Sequence, residues 1–303
     1  MTPVSSILCP VDFSEGSRAA LCYAAALADH FGARLTVIAV DDPLLAKAAA
    51  MELLDPPLAA QTEAELRRFS DDVLPHLGAR ATMLGFRVAT GKPATEILRE
   101  AHATKADLIV IGSHGRSGLQ KLFFGSTTER VLRETTVPVL ITRETRPAST
   151  SLPEVARAIH RVLAPVDLRS ASDCQVRFAA AIAEQLRVPL IVAHIVEPIF
   201  VPSGVRYALA GADSVRRAEV EAALTAVEAS IPPSITTENV VATGAPAEEI
   251  VRIADTRGAN LIVMGLHSGG MLGPRMGAVT YRVLCSTKAL VVALPPVPTP
   301  DLA

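Results

Sequence analysis

The sequence states one pattern twice. ILCPVD at 7–12 returns as VLAPVD at 162–167, RLTVIAV at 34–40 as PLIVAHIV at 189–196, VATGKPATEIL at 88–98 as VATGAPAEEIV at 241–251, and ADLIVIG at 106–112 as ANLIVMG at 259–265. Order and spacing are kept, and a period of about 153 residues far exceeds that of a solenoid, so each copy is a whole domain. The length, 303 residues, agrees with two domains of ordinary size.

Within the first copy, short apolar runs alternate with longer segments of helical period. The pattern predicts strands at 4–11, 34–40, 82–89, 107–112 and 138–142, with helices at 16–31, 58–77, 93–104 and 125–135. The first helix carries Leu21, Ala24, Ala25, Ala28 and Phe31 on one stripe and stops at Gly32. The two Pro-bearing ends of DDPLLAKAAAMELLDPPL (41–58) suggest a loop with a helical turn. Strand–helix alternation implies an α/β fold: two tandem open, parallel five-stranded sheets, strand order 3-2-1-4-5, with helices on both faces. Half the residues are hydrophobic but only 4% are aromatic, so Ala, Val, Leu and Ile must fill such a core. The polar segment ETRPASTSLPEV (144–155) marks the connection, giving domains 1–145 and 159–296, a linker at 146–158 and a Pro-rich tail at 297–303.

Charge excludes several partners. With 29 basic and 31 acidic side chains and no block of one sign, neither nucleic acid nor an acidic membrane surface is indicated. No apolar run reaches membrane-spanning length and the N-terminus lacks a signal-peptide pattern, so a soluble, cytoplasmic protein is expected. Cys9, Cys22, Cys174 and Cys285 form no CxxC pair or metal-ligand spacing and read as small buried hydrophobes.

In an open parallel sheet, ligands bind where the carboxyl ends of the strands open onto a crevice. The segments to inspect are therefore Pro10-Val11-Asp12, Val40-Asp41, Thr90-Gly91-Lys92, and the stretch GSHGRSGLQKLFFGSTTERV from 112 to 131. Its glycines, Gly112 and Gly115 above all, let backbone N–H groups approach an anion. Gly125-Ser126-Thr127-Thr128 then opens a helix whose first amides are unpaired and whose dipole favours negative charge. Ser126 with Glu129 three residues on also reads as a capping box, which explains that serine but not the glycines.

Gly112-x-x-Gly115, nine residues, then Gly125-Ser126 resembles the G-2x-G-9x-G-(S/T) nucleotide motif of the universal stress protein family, and the order of the flanking segments resembles that family along nearly the whole chain. The resemblance implies an adenine nucleotide, ATP or else ADP or AMP, with Mg²⁺ as a further expectation. It implies that Asp12 and the backbone of Val40 hold the adenosine, that Pro10 and Val11 line its pocket, and that Gly112, His114, Gly115, Gly125, Ser126 and Thr127 hold ribose and phosphates. Arg116, inside the nine-residue gap, stands where a cover over the phosphates is expected; Lys121 reads as surface charge. Asp12 also fits a simple helix cap, and Arg130, one turn into the helix, fits an ion pair.

The second copy departs from this motif. From Gly265 it runs GLHSGGMLGPRMGAVTYRV, with Ser268 at the second glycine, one residue fewer before Gly277, and Ala278 for the hydroxyl. A weakened or empty site follows, and Asp167 there is as well explained by structure as by a ligand.

Three readings follow. The first is a nucleotide-binding stress or regulatory protein whose second copy joins the first as an intramolecular pseudo-dimer through the last strands, VPVLITR and ALVVALP, with a homodimer of such chains and a regulatory protein partner beyond that. The second is a slow ATP-hydrolysing enzyme, for which no water-positioning residue stands near the glycines and no GxxxxGK[ST] occurs. The third is a nucleotide-independent scaffold.

Overall fold

The computed structural model describes residues 4–53, 55–75, 84–114, 125–143, 151–168, 172–198, 212–266 and 276–296. The chain divides into two compact units. One comprises residues 1–158, 266–276 and 290–295; the other comprises 159–265, 277–289 and 296–303.

In the first unit the elements run β1 (Ser6–Pro10), α1 (Glu15–Phe31), β2 (Arg34–Asp41), α2 (Pro43–Met51), α3 (Leu58–Val73), β3 (Leu84–Thr90), α4 (Pro93–Ala103), β4 (Leu108–Gly112), α5 (Ser126–Glu134), β5 (Val139–Thr142) and α6 (Leu152–Arg157). The five strands are parallel in the order β3-β2-β1-β4-β5, as the alternation predicts. Right-handed crossovers then place α1 and α3 on one face and α4 and α5 on the other, and these helices pack in those pairs.

Local chemistry sets the helix ends. Ser14 caps α1 by accepting the Ser17 N–H at 3.2 Å, and Gly32 closes it in the left-handed conformation, φ 65°, donating to the Ala28 carbonyl. The helix is rich in buried alanine, which brings its backbone close to β1 and β4. The segment after β2 forms a nine-residue helix, α2, rather than a single helical turn. Asp42 caps it, accepting the Leu44 N–H at 2.7 Å, and Pro43 occupies the first helical position, where its missing N–H costs nothing. The connection between the copies also holds a helix, α6, whose Leu152, Val155 and Ala156 are buried where it packs on α1. The stretch 144–150 and the tail 297–303 lie outside the described residues.

The second unit contains β6 (Val162–Pro165), α7 (Ser172–Leu186), β7 (Leu190–Val196), α8 (Ala212–Glu228), β8 (Thr237–Thr243), α9 (Pro246–Arg257), β9 (Leu261–Gly265) and α10 (Ala278–Ser286), with parallel strands in the order β9-β6-β7-β8. The last strand, β10 (Leu290–Leu294), belongs to the first compact unit. It pairs antiparallel with β5 in the register Val291↔Ile141, Val292↔Leu140 and Ala293↔Val139.

Among the described residues no helix is long and apolar enough to cross a membrane. None of the four cysteines is in a disulfide, and burial pushes the Cys9 thiol well above its ordinary range, with a smaller contribution from Cys22.

Candidate functional site

The β1–β2 ladder ends at Pro10↔Ile38, after which the Val11 N–H donates to the Ile38 carbonyl at 2.8 Å and the chain turns away. Backbone polar groups alternate sides along a strand. Ile38 faces β1, and Asp41, whose carbonyl accepts the Gly91 N–H at 3.1 Å, faces β3. Val40 therefore turns its N–H and C=O toward the space that β1 has left.

The turn out of β1 is held by the residues that follow Val11. Asp12 Oδ1 accepts both the Ser14 N–H at 3.1 Å and the Ser14 hydroxyl at 2.5 Å. The cap of α1 is thus Ser14, and Asp12 stands two residues before it, orienting that cap rather than serving as it. Phe13 adopts φ 65°, a conformation costly for a bulky residue, of the order of 1–2 kcal/mol. Its ring lies edge-on to Phe69 at 5.5 Å, and the Arg18 guanidinium sits 4.7 Å from the centroid of Phe69 on the way to its ion pairs with Glu15 and Asp72. Packing on α3 therefore holds a strained turn that presents Asp12 at the strand ends.

Gly112 ends β4, and the space its missing side chain leaves is filled by protein. A Cβ there would lie 2.9 Å from the Gly16 backbone, and a Cβ on Gly16 would lie 2.4 Å from the His114 carbonyl oxygen. Gly112 and Gly16 together allow the end of β4 to rest against the first turn of α1. Gly16 is a residue that the motif reading omits; a glycine in the first turn of an otherwise alanine-rich helix is its signal. Around this contact, Ser113 N–H donates to the Thr142 carbonyl at 2.9 Å, Gly125 N–H to the Ser113 carbonyl at 3.0 Å, and the Thr128 hydroxyl to the Gly112 carbonyl at 2.8 Å. These bonds tie both ends of the glycine segment to one place. His114 Nδ1 lies 3.0 Å from the Ser113 hydroxyl.

The N-terminus of α5 carries no side-chain cap. Gly125 takes the N-cap position and Ser126 the first helical one, so the expected capping box does not form; Glu129 instead pairs with Arg133 at 2.5 Å. Ser126 is exposed and Thr127 half-buried. Arg130 makes an ion pair with Glu134 at 2.9 Å, as its position one turn into the helix suggests. Pro10 and Val11 are buried; Pro10, Val11 and Asp12 stand at the end of β1, Val40 near the end of β2, Gly112 and His114 at and just past the end of β4, and Gly125, Ser126 and Thr127 at the start of α5. Gly115, Arg116, Gly118 and Lys121 lie outside the described residues. Among those described, no group of three or more His, Cys, Asp or Glu side chains is arranged to hold a metal ion.

The second copy repeats the frame with different side chains. The Val166 N–H donates to the Ala193 carbonyl at 2.8 Å, Leu168 has φ 60°, and the Thr280 hydroxyl donates to the Gly265 carbonyl at 3.1 Å, matching Val11, Phe13 and Thr128. Three carbonyls at or near the strand ends are occupied by side chains, however. Gln175 Nε2 donates to Pro165 at 2.6 Å and to Val263 at 2.9 Å, and His194 Nδ1 lies 2.8 Å from the Val166 carbonyl. The positions of Gln175 and His194 are Ala20 and Ala39 in the first copy. The loop at 267–275, with Ser268, Gly269 and Gly270, lies outside the described residues.

The sequence model of the universal stress protein family matches residues 4–143 and 158–295. A universal stress protein of Methanocaldococcus jannaschii is 32% identical over 146 residues, covering 46% of this chain and 81% of that protein. A universal stress protein of Thermus aquaticus is 31% identical over 141 residues, covering 46% of this chain and 98% of that protein. The crystal structure of a universal stress protein from Archaeoglobus fulgidus superposes on the whole chain with a TM-score of 0.61 at 21% identity, covering 97% of both chains.

Proposed function

The chain belongs to the universal stress protein family, and from that premise we propose that its first copy binds an adenine nucleotide, ATP or its di- and monophosphate relatives, as a regulatory ligand. The observation that carries this reading is the flanking of the Asp12 turn by two unmatched sets of backbone polar groups. On the β2 side Val40 offers an N–H and a C=O, the complement of the N1 acceptor and 6-amino donor on one edge of adenine. On the β4 side the uncapped start of α5, with the Ser126 and Thr127 hydroxyls, offers donors and a positive dipole end to phosphate. Base and phosphate sites thus lie on opposite sides of Asp12, whose carboxylate is suited to accept from ribose hydroxyls. Gly112 and His114 set the start of the phosphate segment; Gly115 and Arg116 complete it in this reading, and Mg²⁺ would accompany the phosphates.

The second copy, with Ala278 at the helix start and side chains occupying its strand-end carbonyls, holds no nucleotide at this position. Its contribution is the strand β10, which closes the edge of β5 and supports an intramolecular pseudo-dimer. Nucleotide occupancy then changes the surface offered to a protein partner.

Mass spectrometry of small molecules released on denaturing the purified protein, with thermal unfolding in the presence of ATP and Mg²⁺, tests the reading. One equivalent of adenine nucleotide per chain is expected. Saturation at 100 times Kd raises stability by about 2.7 kcal/mol. No released nucleotide and no shift in melting would refute it.

A further inference from the structure

Asp41 follows Val40 at the end of β2, and only 8% of its surface reaches solvent. Its Oδ1 accepts the Thr62 hydroxyl at 2.8 Å, whereas its Oδ2 is buried and has no hydrogen-bond partner. A buried carboxylate oxygen left unmatched destabilises a fold. The second copy shows that this architecture does without it. The ladders align Pro10↔Ile38 with Pro165↔Ala193, and three residues further on the counterpart of Asp41 is Val196, a buried valine. The fold therefore gives no reason for the carboxylate, and a ligand donor does.

The donor follows from the neighbouring residue. A 6-amino group bound at the Val40 carbonyl has two N–H bonds, and one carbonyl in line with the base edge takes the first. The second needs an acceptor in a water-poor place, and Asp41 Oδ2 is a buried acceptor one residue away. Resting on the adenine-nucleotide reading above, we propose that Asp41 accepts a hydrogen bond from the 6-amino group and so selects adenine over 6-oxo purines. A 6-oxo base would turn its own lone pairs on the carboxylate, which is the repulsive half of the selection.

Inosine triphosphate carries an oxygen at position 6 and a proton on N1, and the Val40 carbonyl and N–H disfavour both in every variant, so calorimetric titration of the full chain with the two nucleotides reads the share of Asp41 as the change in their affinity ratio between variants. The wild type is expected to prefer ATP by roughly ten- to a hundredfold more than a variant without the carboxylate, the range for leaving one buried polar group unmatched. Asp41→Asn keeps an oxygen for Thr62 and places an N–H₂ where Oδ2 was. Its ATP to inosine triphosphate ratio should fall furthest of the three, through a tighter hold on inosine triphosphate that misfolding cannot produce. Asp41→Val, the residue of the second copy, should keep only the preference that the Val40 backbone imposes, a smaller ATP to inosine triphosphate ratio than that of the wild type, and melt no lower than the wild type. An ATP to inosine triphosphate ratio that is the same in all three proteins overturns the role of Asp41 while leaving the nucleotide site standing. A wild type that binds neither nucleotide overturns the parent reading, and this one with it.

Discussion

The contact between Gly16 and the end of β4 sets two effects against each other in one substitution. Gly16→Ala adds a Cβ 2.4 Å from the His114 carbonyl oxygen, where ordinary contact begins near 3.4 Å, so about 1 Å must be found. Little of it can come from the β4 side, because Ser113 and Gly112 are fixed by hydrogen bonds to Thr142, Gly125 and Thr128. Overpacking of this kind costs about 1–3 kcal/mol. Against it stands the helix preference for alanine over glycine, at most about 1 kcal/mol. The net expectation is a loss of about 1–2 kcal/mol, read as a lower urea midpoint with an unchanged m-value. Because the atom displaced is the backbone of His114, nucleotide affinity should fall as well. Gly32→Ala is the control: its φ of 65° imposes strain of about 1 kcal/mol, but its Cβ has no neighbour within 4 Å and it lies at the far end of α1. That variant should lose stability and keep its affinity. If Gly16→Ala gains stability, as propensity alone predicts, the close approach of α1 and β4 is wrong.

Thr128→Val removes the hydroxyl that holds the Gly112 carbonyl and should cost about 1–3 kcal/mol in chemical denaturation. Thr280→Val, its counterpart, should cost a similar amount, yet only the first should weaken nucleotide binding in the same titrations. Cys9 adds an alkaline limit. Burial raises its folded-state pKa above the ordinary 9.0, so the thiol's contribution is intact below pH 9 and lost above it, where the unfolded chain ionises and the native one does not. The loss is about 1.4 kcal/mol per pH unit; urea midpoints should therefore fall more between pH 9 and 10.5 for the wild type than for Cys9→Ala, and equal falls would refute the assignment.

Much of the first unit is legible in sequence because buried parallel strands are written as continuous apolar runs and the helices between them carry a 3.6-residue stripe. The misreadings have local causes. In 41–58 the prolines draw attention to breaks, although Asp42 and Pro43 together spell a helix start. In α6 the stripe of Leu152, Val155 and Ala156 is too short to stand out from polar neighbours. Ser126 and Glu129 have capping-box spacing, but Gly125 takes the cap and moves Ser126 one position into the helix. Gly16 escapes, and Asp41 is named beside Val40 without a role for its side chain, for a different reason: each has a role set by tertiary contact, one by the approach of β4, the other by enclosure beneath α3, and neither leaves a periodic trace.

The internal repeat supplies a control within one molecule. Where a side chain supports the frame, the copies keep its role: Thr128 and Thr280 hold the carbonyl at the end of the fourth strand, Phe13 and Leu168 both accept positive φ, and Glu96 and Glu249 both pack over a glycine, Gly91 and Gly244. Among the positions where the copies part, four bear on the carboxyl ends of the strands: Asp41 against Val196, Ala20 against Gln175, Ala39 against His194, Ser126 against Ala278. A positive-φ turn carrying a bulky residue is strain that each copy bears alike, so strain by itself does not mark the working site. The unmatched groups separate the copies. The first copy leaves a buried carboxylate oxygen unpartnered, while the second covers its strand-end carbonyls with Gln175 and His194 and puts valine in place of the carboxylate; the helix starts at Ser126 and Ala278 both lack a side-chain cap and differ in the hydroxyl. One backbone thus appears once with a buried carboxylate open and once with valine in its place, and under the proposed reading the open copy is where a ligand completes the structure.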